Sequence, residues 1–382
     1  MKFNVAFRVP GLFRGEPIVR SLALCWVITK LLCYQLWMAD RFFPLVPVND
    51  SLLQVPAYFH TIVFGLSLFC MAVLVVFPRK QLAIVLLFLE VIACLFDQNR
   101  WQTWEWFFVF LLAAYVFIRD KRARIFSWQL IIIGLYLFSG LSKCNSSFIN
   151  NVWKELFLKQ FAGAGQTSTW VLRMGYLLPI LEIASAVFLC FNRSVKMGVL
   201  ILIAMHLVNL VVFGPLGIST NSTIWPWNIF MPILLVLLFY KGGISFSERN
   251  LWKPLFTTLV LLCWWVLPGL QLAGLWNNKY LPCNLYSGKT NYMYICSDDL
   301  HARLRLTDCF TYTKFMLPCA DALSVYQWSM REMNSPPFPE ERVYKALARE
   351  WNKWYPGGNN RFFLVSGGVK REVREIKDLT GF

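Results

Sequence analysis

The first 275 residues alternate long apolar runs with short polar segments. Nine apolar runs can be marked, at about 18–38, 57–77, 82–96, 104–118, 126–142, 176–191, 196–213, 225–240 and 254–275. A straight transmembrane helix needs about 20 apolar residues, and several of these runs are shorter. They reach that length when interfacial aromatic residues are included, such as Trp101, Trp104, Trp225 and Trp227. The pattern predicts an all-α polytopic membrane protein of about nine transmembrane helices. The third and fourth runs could instead form a re-entrant pair.

The chain changes character after residue 275. Residues 276–382 contain charges, turns and short amphipathic stretches. The pattern predicts two helices within 329–355, separated by the turn at Pro336-Pro337. It also predicts a hairpin over 361–372 through Gly367-Gly368. We therefore divide the chain into a transmembrane domain, 1–275, and a small C-terminal domain or cap, 276–382.

The composition agrees with a membrane protein, since 57% of the residues are hydrophobic and only 15% are charged. Soluble domains are near a quarter charged. The formal net charge is +16, but the basic residues lie mainly in short loops between apolar runs. A nucleic-acid-binding protein needs its basic residues on one face. The expected partner is therefore the lipid bilayer and not a nucleic acid.

The loop charges predict the orientation of the chain. The N-terminal segment and the loops on its side contain 15 Lys and Arg residues, whereas the opposite loops contain six. Cytoplasmic loops carry the excess of positive charge in membrane proteins. The N-terminus is therefore predicted in the cytoplasm, and an odd number of spans places the C-terminal region on the extracytoplasmic side.

The cysteines fall into two groups. Those in the apolar runs are expected to be small buried hydrophobic residues. Four others lie in the C-terminal region: Cys283, Cys296, Cys309 and Cys319. An even set in an oxidising compartment predicts one or two disulfides, with the pairing left open. Zinc binding is the weaker interpretation, because the region has no Cys-x-x-Cys and only His301 is near, so no metal is predicted.

Ionisable residues within apolar runs are costly and mark functional candidates. Lys143, Glu182 and His206 are the candidate catalytic residues. Under the nine-span topology they lie in the extracytoplasmic half, which predicts one site that opens to that side or to the outer leaflet. A lysine in an apolar pocket loses its proton more readily and can act as a general base, with a histidine and a carboxylate relaying protons.

Five further polar residues near the same half are candidates for binding or positioning the ligand: Asp97, Gln98, Asn99, Asn209 and Asn228. Asn209 lies one turn from His206 on the same helix face. Each candidate has a structural alternative, since Lys143 could be an interfacial anchor and the others could be interhelical hydrogen-bonding residues. Lys30 and Glu90 lie near mid-membrane and could simply pair with each other, which is weak evidence of function.

Three segments resemble the vitamin K-dependent gamma-carboxylase family and its bacterial relatives, the HTTM membrane-domain proteins. Leu95–Gln102 (LFDQNRWQ) resembles the family's LDKxxWN segment. Gly140–Asn145 (GLSKCN) resembles its GVKKLD motif, and Met205–Asn209 (MHLVN) resembles its FHxMN motif. The resemblance implies that Lys143 deprotonates a vitamin K-like reduced quinone. In that family the quinol then reacts with oxygen to form an epoxide, and the strong base so produced drives glutamate carboxylation. The bacterial relatives imply a bacterial inner membrane.

The chain departs from the family pattern at several positions. Trp104 stands where the family has a histidine, Ser142 replaces the first lysine of the motif, and Asn145 replaces its aspartate. About 107 residues follow the last span, which is too few for the large lumenal domain that binds a propeptide in that family. The resemblance therefore favours quinol chemistry over carboxylation of a protein.

The segment 139–182 also resembles DoxX-like and MauE-like membrane proteins, which carry a comparable Gly-x-x-Lys followed by Pro-x-Leu-Glu. Those proteins are associated with quinone-linked redox or thiol chemistry. Three hypotheses follow. The chain is a quinol-oxidising membrane enzyme, a quinone-linked redox subunit that needs a partner protein, or a non-catalytic membrane scaffold that presents its C-terminal region to an extracytoplasmic partner.

Overall fold

The computed structural model describes residues 16–158, 168–215, 217, 219, 221–276, 286–313, 315, 317–367 and 372–379. Each of the nine apolar runs contains a helix, and a tenth, π-helical segment precedes the sixth run. The helices are α1 (Pro17–Leu32), α2 (Ala57–Val76), α3 (Lys80–Phe96), α4 (Thr103–Phe117), α5 (Lys121–Lys143), α6 (Phe148–Leu158, π-helical), α7 (Thr169–Phe188), α8 (Val195–Phe213), α9 (Ile224–Phe239) and α10 (Leu255–Leu272). Single helical turns occupy Tyr34–Trp37, Asp50–Gln54, Gln98–Arg100 and Arg249–Trp252.

Five of these helices are long and apolar enough to cross a membrane, judged by length and composition: α2, α5, α7, α8 and α10. Helices α4 and α9 are also apolar but shorter. A chain with this set of apolar helices is a membrane protein. The count of nine spans is not confirmed by the lengths of the helices and stays a prediction.

Helix α5 lies at the centre of the bundle. It packs against α4, α7, α9 and α10, and its residues are buried on all sides over most of its length. A helix that is hydrophobic all round belongs in the interior of a bundle. It begins where the Asp120 carboxylate accepts a hydrogen bond from the backbone N–H of Ala123 at 2.8 Å, a standard N-cap. It ends at Lys143.

The C-terminal region contains a sheet in addition to helices. Its strands are β1 (Tyr292–Cys296), β2 (Phe310–Thr311), β3 (Ala322–Ser324), β4 (Arg361–Val365) and β5 (Val373–Glu375), and its helices are α11 (Leu300–Arg305), α12 (Val325–Met333) and α13 (Glu341–Trp354), with a single turn at Thr307–Cys309. The sheet order is β2-β3-β1-β4-β5 with antiparallel pairs throughout.

The all-α prediction therefore needs a correction in the C-terminal region. The two helices on either side of the Pro-Pro turn match the pattern in the sequence. Strands β4 and β5 pair as a hairpin, but β5 lies just beyond the predicted range of 361–372, and residues 368–371 of the predicted turn lie outside the described residues. Strands β1, β2 and β3 were not predicted. Strands of two to five residues are too short to show a clear period of two. Their pairing depends on contacts between residues far apart in the chain.

The C-terminal region packs directly on the membrane helices. The ring of Phe42, in the loop after α1, lies 5.5 Å from the Trp328 ring and 5.1 Å from the Trp354 ring, between centroids. The Asn334 side-chain amide donates to the backbone carbonyl of Leu32 at 2.9 Å and to the Ser222 hydroxyl at 2.6 Å. Residues of the C-terminal region and of the membrane helices share one hydrophobic core, so the region forms a cap on the bundle.

The candidate disulfide cysteines occupy three different situations. Cys296, at the end of β1, is bonded to Cys319. Cys309 is a buried free thiol. Cys283 lies outside the described residues.

Candidate functional site

Five of the eight polar candidates line a single cavity of about 130 Å³ inside the bundle. They come from four helices and are Lys143, Glu182, His206, Asn209 and Asn228. Tyr136 and Ser139 of α5 line the same cavity. The three candidate catalytic residues therefore meet in space, although up to 63 positions separate them along the chain.

Helical spacing explains why these side chains converge. Tyr136, Ser139 and Lys143 are separated by three and four residues, so they lie on one face of α5. His206 and Asn209 share a face of α8 for the same reason. Asn228 lies in the first turns of α9, one residue after Trp227, and both reach the cavity.

A close approach of two helices brings Lys143 to Glu182. A Cβ placed on Gly140 would lie 2.8 Å from the Pro179 carbonyl oxygen and 2.7 Å from Ile183 Cγ1. Only a residue without a side chain leaves room for α7 at this point, as at many interfaces between membrane helices. Lys143 lies one turn after Gly140, and its side chain points back along α5 to reach Glu182 beside the crossing.

Lys143 and Glu182 form a largely buried ion pair. The ammonium nitrogen lies 2.8 Å from each carboxylate oxygen of Glu182 and 2.8 Å from the Ser139 hydroxyl oxygen. The side chains of Lys143 and Glu182 are only 15% and 7% exposed. Such a pair places an ammonium group, which can stabilise an anion, beside a carboxylate that can accept a proton.

A second hydrogen-bonded chain crosses the cavity wall at His206. The Asn228 amide nitrogen donates to the Ile224 carbonyl at 2.8 Å, so its oxygen is the atom that faces His206 Nδ1 at 2.7 Å. His206 Nδ1 must therefore carry a hydrogen. Nε2 of the neutral ring is then an acceptor, and the Tyr136 hydroxyl donates to it at 2.6 Å. The arrangement fixes one tautomer of His206.

The rest of the wall is mainly apolar and aromatic. It includes Trp104, Phe148, Phe157, Phe213, Trp227 and Tyr286. Trp104 is 5% exposed, and its indole N–H has no acceptor within the described part of the chain. Flat aromatic walls with a few polar groups are typical of sites for small apolar ligands.

The structure places Asp97, Gln98 and Asn99 away from this cavity, in the buried turn between α3 and α4. Asp97 pairs with Arg41, and its Oδ1 accepts from the backbone N–H of Val46 at 3.2 Å and of Asn99 at 3.1 Å. The Gln98 amide donates to the Pro47 carbonyl at 2.9 Å. These polar groups fold the loop after α1 onto the bundle.

Asn99 joins this turn to the C-terminal cap. Its side-chain oxygen accepts a hydrogen bond from the backbone N–H of Phe338 at 3.1 Å. Nearby, the Gln102 amide donates to the Pro336 carbonyl at 2.9 Å. The Pro-Pro turn of the cap is therefore fastened to the bundle by two amide side chains.

Sequence reasoning missed Tyr136, Ser139 and Trp104 as members of the site. Tyr136 and Ser139 precede Lys143 by seven and four residues, so the helical period that placed Asn209 beside His206 could have identified them. Trp104 carried no such signal, because whether its ring faces the cavity depends on how α4 is rotated in the bundle.

No family model matches the chain, and neither a curated protein nor a solved structure shows significant similarity to it. Among the described residues, no group of three or more His, Cys, Asp or Glu side chains is arranged to hold a metal ion. The chemistry of the site is therefore argued from its own geometry.

Proposed function

We propose that the cavity binds a lipid-soluble aromatic molecule that carries a hydroxyl group, such as a reduced quinone, and removes a proton from it. One observation carries this proposal: the Lys143–Glu182 pair and the Tyr136–His206–Asn228 chain converge on one cavity with aromatic walls. A membrane quinol has an apolar ring for such walls and hydroxyl groups for their polar positions.

Lys143 and Glu182 act together as the proton acceptor. Lys143 becomes a base only after its proton moves to Glu182, across 2.8 Å. The neutral amine then takes the hydroxyl proton of the quinol. The products are a protonated Glu182, an ammonium group on Lys143 and a quinolate anion, so charge and protons balance. The ammonium group then faces the anion and stabilises it.

His206 is a second proton acceptor in the cavity wall. Its Nδ1–H is held by Asn228, which leaves Nε2 to accept a proton through Tyr136. The phenol oxygen can accept a hydrogen bond from a ligand hydroxyl group, and the phenol can pass a proton on to His206. Asn209 supplies a further polar contact to the ligand from the cavity wall.

Oxygen-dependent turnover of a reduced naphthoquinone by the purified protein tests the proposal. Wild type should form the epoxide or the quinone above background, and Lys143→Ala should lose this turnover while it stays folded. Lys353→Ala is the matched control, because Lys353 is 65% exposed in the cap. No turnover from folded wild type, alone or with membrane extract, contradicts the enzymatic role. Turnover restored by the extract favours a redox subunit that depends on a partner.

We further propose nine spans, with the N-terminus in the cytoplasm of a bacterial cell and the cap outside its inner membrane. Support comes from the excess of Lys and Arg in the loops on the N-terminal side and from the Cys296–Cys319 disulfide, since disulfides persist in oxidising compartments. An alkaline-phosphatase fusion after Trp276 should be active. An inactive fusion would mean that the span count is wrong by one.

A further inference from the structure

A second group of ionisable side chains lies inside the bundle, outside the cavity. Lys30 comes from α1, Glu90 from α3 and Glu105 from α4. Lys30 and Glu90 are fully buried, and Glu105 is 2% exposed. Three ionisable groups at this depth are costly unless their charges and hydrogen bonds are satisfied.

One oxygen of each carboxyl group has a donor. The Lys30 ammonium lies 2.5 Å from Glu90 Oε2, and the Trp26 indole N–H donates to Glu105 Oε2 at 2.9 Å. The other two oxygens, Glu90 Oε1 and Glu105 Oε1, find no donor in the described part of the chain. Trp26 and Lys30 are four residues apart on one face of α1, and each binds one of the two carboxyl groups, so these groups lie side by side. Two carboxylates cannot hydrogen-bond, because an ionised carboxylate only accepts.

The other polar groups around this cluster do not supply the missing donor. Arg100 lies nearby, but its guanidinium donates to the backbone carbonyls of Leu36, Trp37 and Ala93. Its fourth contact is with His60 Nδ1 at 3.0 Å. Among the described residues, three thiols also lie near this cluster: Cys33, Cys70 and Cys94. The Lys30 ammonium also lies 3.2 Å from the centroid of the Trp37 ring.

We propose that Glu90 and Glu105 share one proton beside Lys30 and form a proton-binding site within the bundle. One protonated and one ionised carboxyl group satisfy both free oxygens with a single hydrogen bond. The remaining negative charge is balanced by the Lys30 ammonium, so the cluster is neutral. Two carboxyl groups that share a site retain a proton because both cannot ionise at short range.

The cluster lies directly behind the wall of the cavity. Thr103 and Trp104 line the cavity, and Glu105 is the next residue of α4. The Trp104 ring packs against Trp37 at 6.4 Å between centroids, and Trp37 contacts Lys30. The rings of Trp37 and Trp104 thus separate the proton-binding site from the cavity.

Infrared absorption of the purified full-length protein at neutral pH tests this inference. A protonated carboxylic acid has a carbonyl band separate from the carboxylate bands. Glu105→Gln should fold as wild type does, because the amide that it introduces can accept from Trp26 and donate to Glu90. Subtracting its spectrum from that of wild type should reveal one carboxylic acid band and no net carboxylate band. Glu90→Gln should give the same result.

Glu340→Gln is the control, because Glu340 is a partly exposed carboxylate paired with Arg342 on the cap. Its difference spectrum should contain carboxylate bands only. The inference is overturned if Glu105→Gln and Glu90→Gln also remove carboxylate bands and leave the acid region unchanged. Failure of Glu105→Gln to fold would count against it too, since the amide reproduces both hydrogen bonds of the protonated acid.

Discussion

The carbonyl oxygen of Pro179 lies only 2.8 Å from the point where any other residue in place of Gly140 would put its Cβ. This contact sets the distance between α5 and α7 beside the Lys143–Glu182 pair. The site therefore depends on a residue that has no chemistry of its own.

Gly140→Ala should destabilise the protein by about 1–3 kcal/mol, the usual cost of overpacking a tight contact. It should also reduce turnover, because separating the helices lengthens the Lys143–Glu182 contact. Gly65→Ala is the control: apart from the backbone of α2 itself and the adjacent residues, no atom of the described residues lies within 4 Å of a Cβ at Gly65. Alanine in a helix is favoured over glycine by about 0.5–1 kcal/mol, so this variant should be slightly more stable. Thermal unfolding in detergent measures the stability of both variants. Equal changes in stability for Gly140→Ala and Gly65→Ala would contradict the role of Gly140.

The Lys143–Glu182 pair should behave as a coupled unit in a double-mutant cycle. Lys143→Met or Glu182→Leu alone leaves a buried charge without its partner, which typically costs about 3–5 kcal/mol. The double variant should recover most of that loss, because apolar residues replace both charges. The free energy of unfolding of the four proteins measures the coupling. Additive losses would show that the pair is not an energetic unit.

Asn99→Ala should weaken the attachment of the cap. It removes the acceptor for the buried backbone N–H of Phe338, and an unsatisfied buried group costs about 1–3 kcal/mol. Limited proteolysis should then cut the chain faster near the Pro-Pro turn. Asn150→Ala, at an exposed position whose amide donates to the Ser146 carbonyl at 3.0 Å, should not. A changed KM for the quinol without faster proteolysis would instead assign Asn99 to ligand positioning.

The cysteines of the cap should differ in reactivity. Peptide mapping without reductant should recover Cys296 linked to Cys319. Burial raises the pKa of the Cys309 thiol, so a maleimide should label it only after unfolding, because the thiolate is the nucleophile. The exposed Cys144 should react in the folded protein. Labelling of Cys309 at the rate of Cys144 would refute its burial.

The cap should lose a little stability in acid through Asp321. Arg303 donates to both of its oxygens, at 2.9 and 3.0 Å, and this hydrogen bonding lowers the pKa of Asp321 below its ordinary value of 3.8. The unfolded state therefore binds the proton more readily, so the stabilisation is complete above that value and disappears as the pH falls through the lowered pKa.

Asp321→Asn should cost about 0.2–1 kcal/mol at neutral pH, since the pair is partly exposed and solvent weakens it. The difference from wild type should vanish in strong acid. Asp308→Asn is the control, because the Asp308 side chain is 85% exposed and 3.8 Å from Arg331. Thermal unfolding as a function of pH measures the stability of both variants. A stability difference between Asp321→Asn and wild type that does not change with pH would contradict the role of the ion pair.

The sequence by itself indicated the helices of the bundle and five of the polar residues that line its candidate site. Long apolar runs can satisfy their backbone groups in a membrane only as helices, so each run contains one. Lys143, Glu182 and His206 stood out because charged and polar side chains are costly in such runs. The three-residue spacing then placed Asn209 on the same helix face as His206. This inference depends only on the helical period and not on any tertiary contact.

Only the tertiary structure decided which polar residues share a site. Asp97, Gln98 and Asn99 resemble ligand-binding residues in the sequence, yet they fasten a loop and the cap, because their partners at Arg41 and Phe338 are distant in the chain. Tertiary structure also decided that Glu90 and Glu105 lie beside the same face of α1 and that strands β1 to β3 pair. Burial and spacing along a helix are local properties that a sequence carries, whereas the rotation of one helix against another fixes which polar atoms meet.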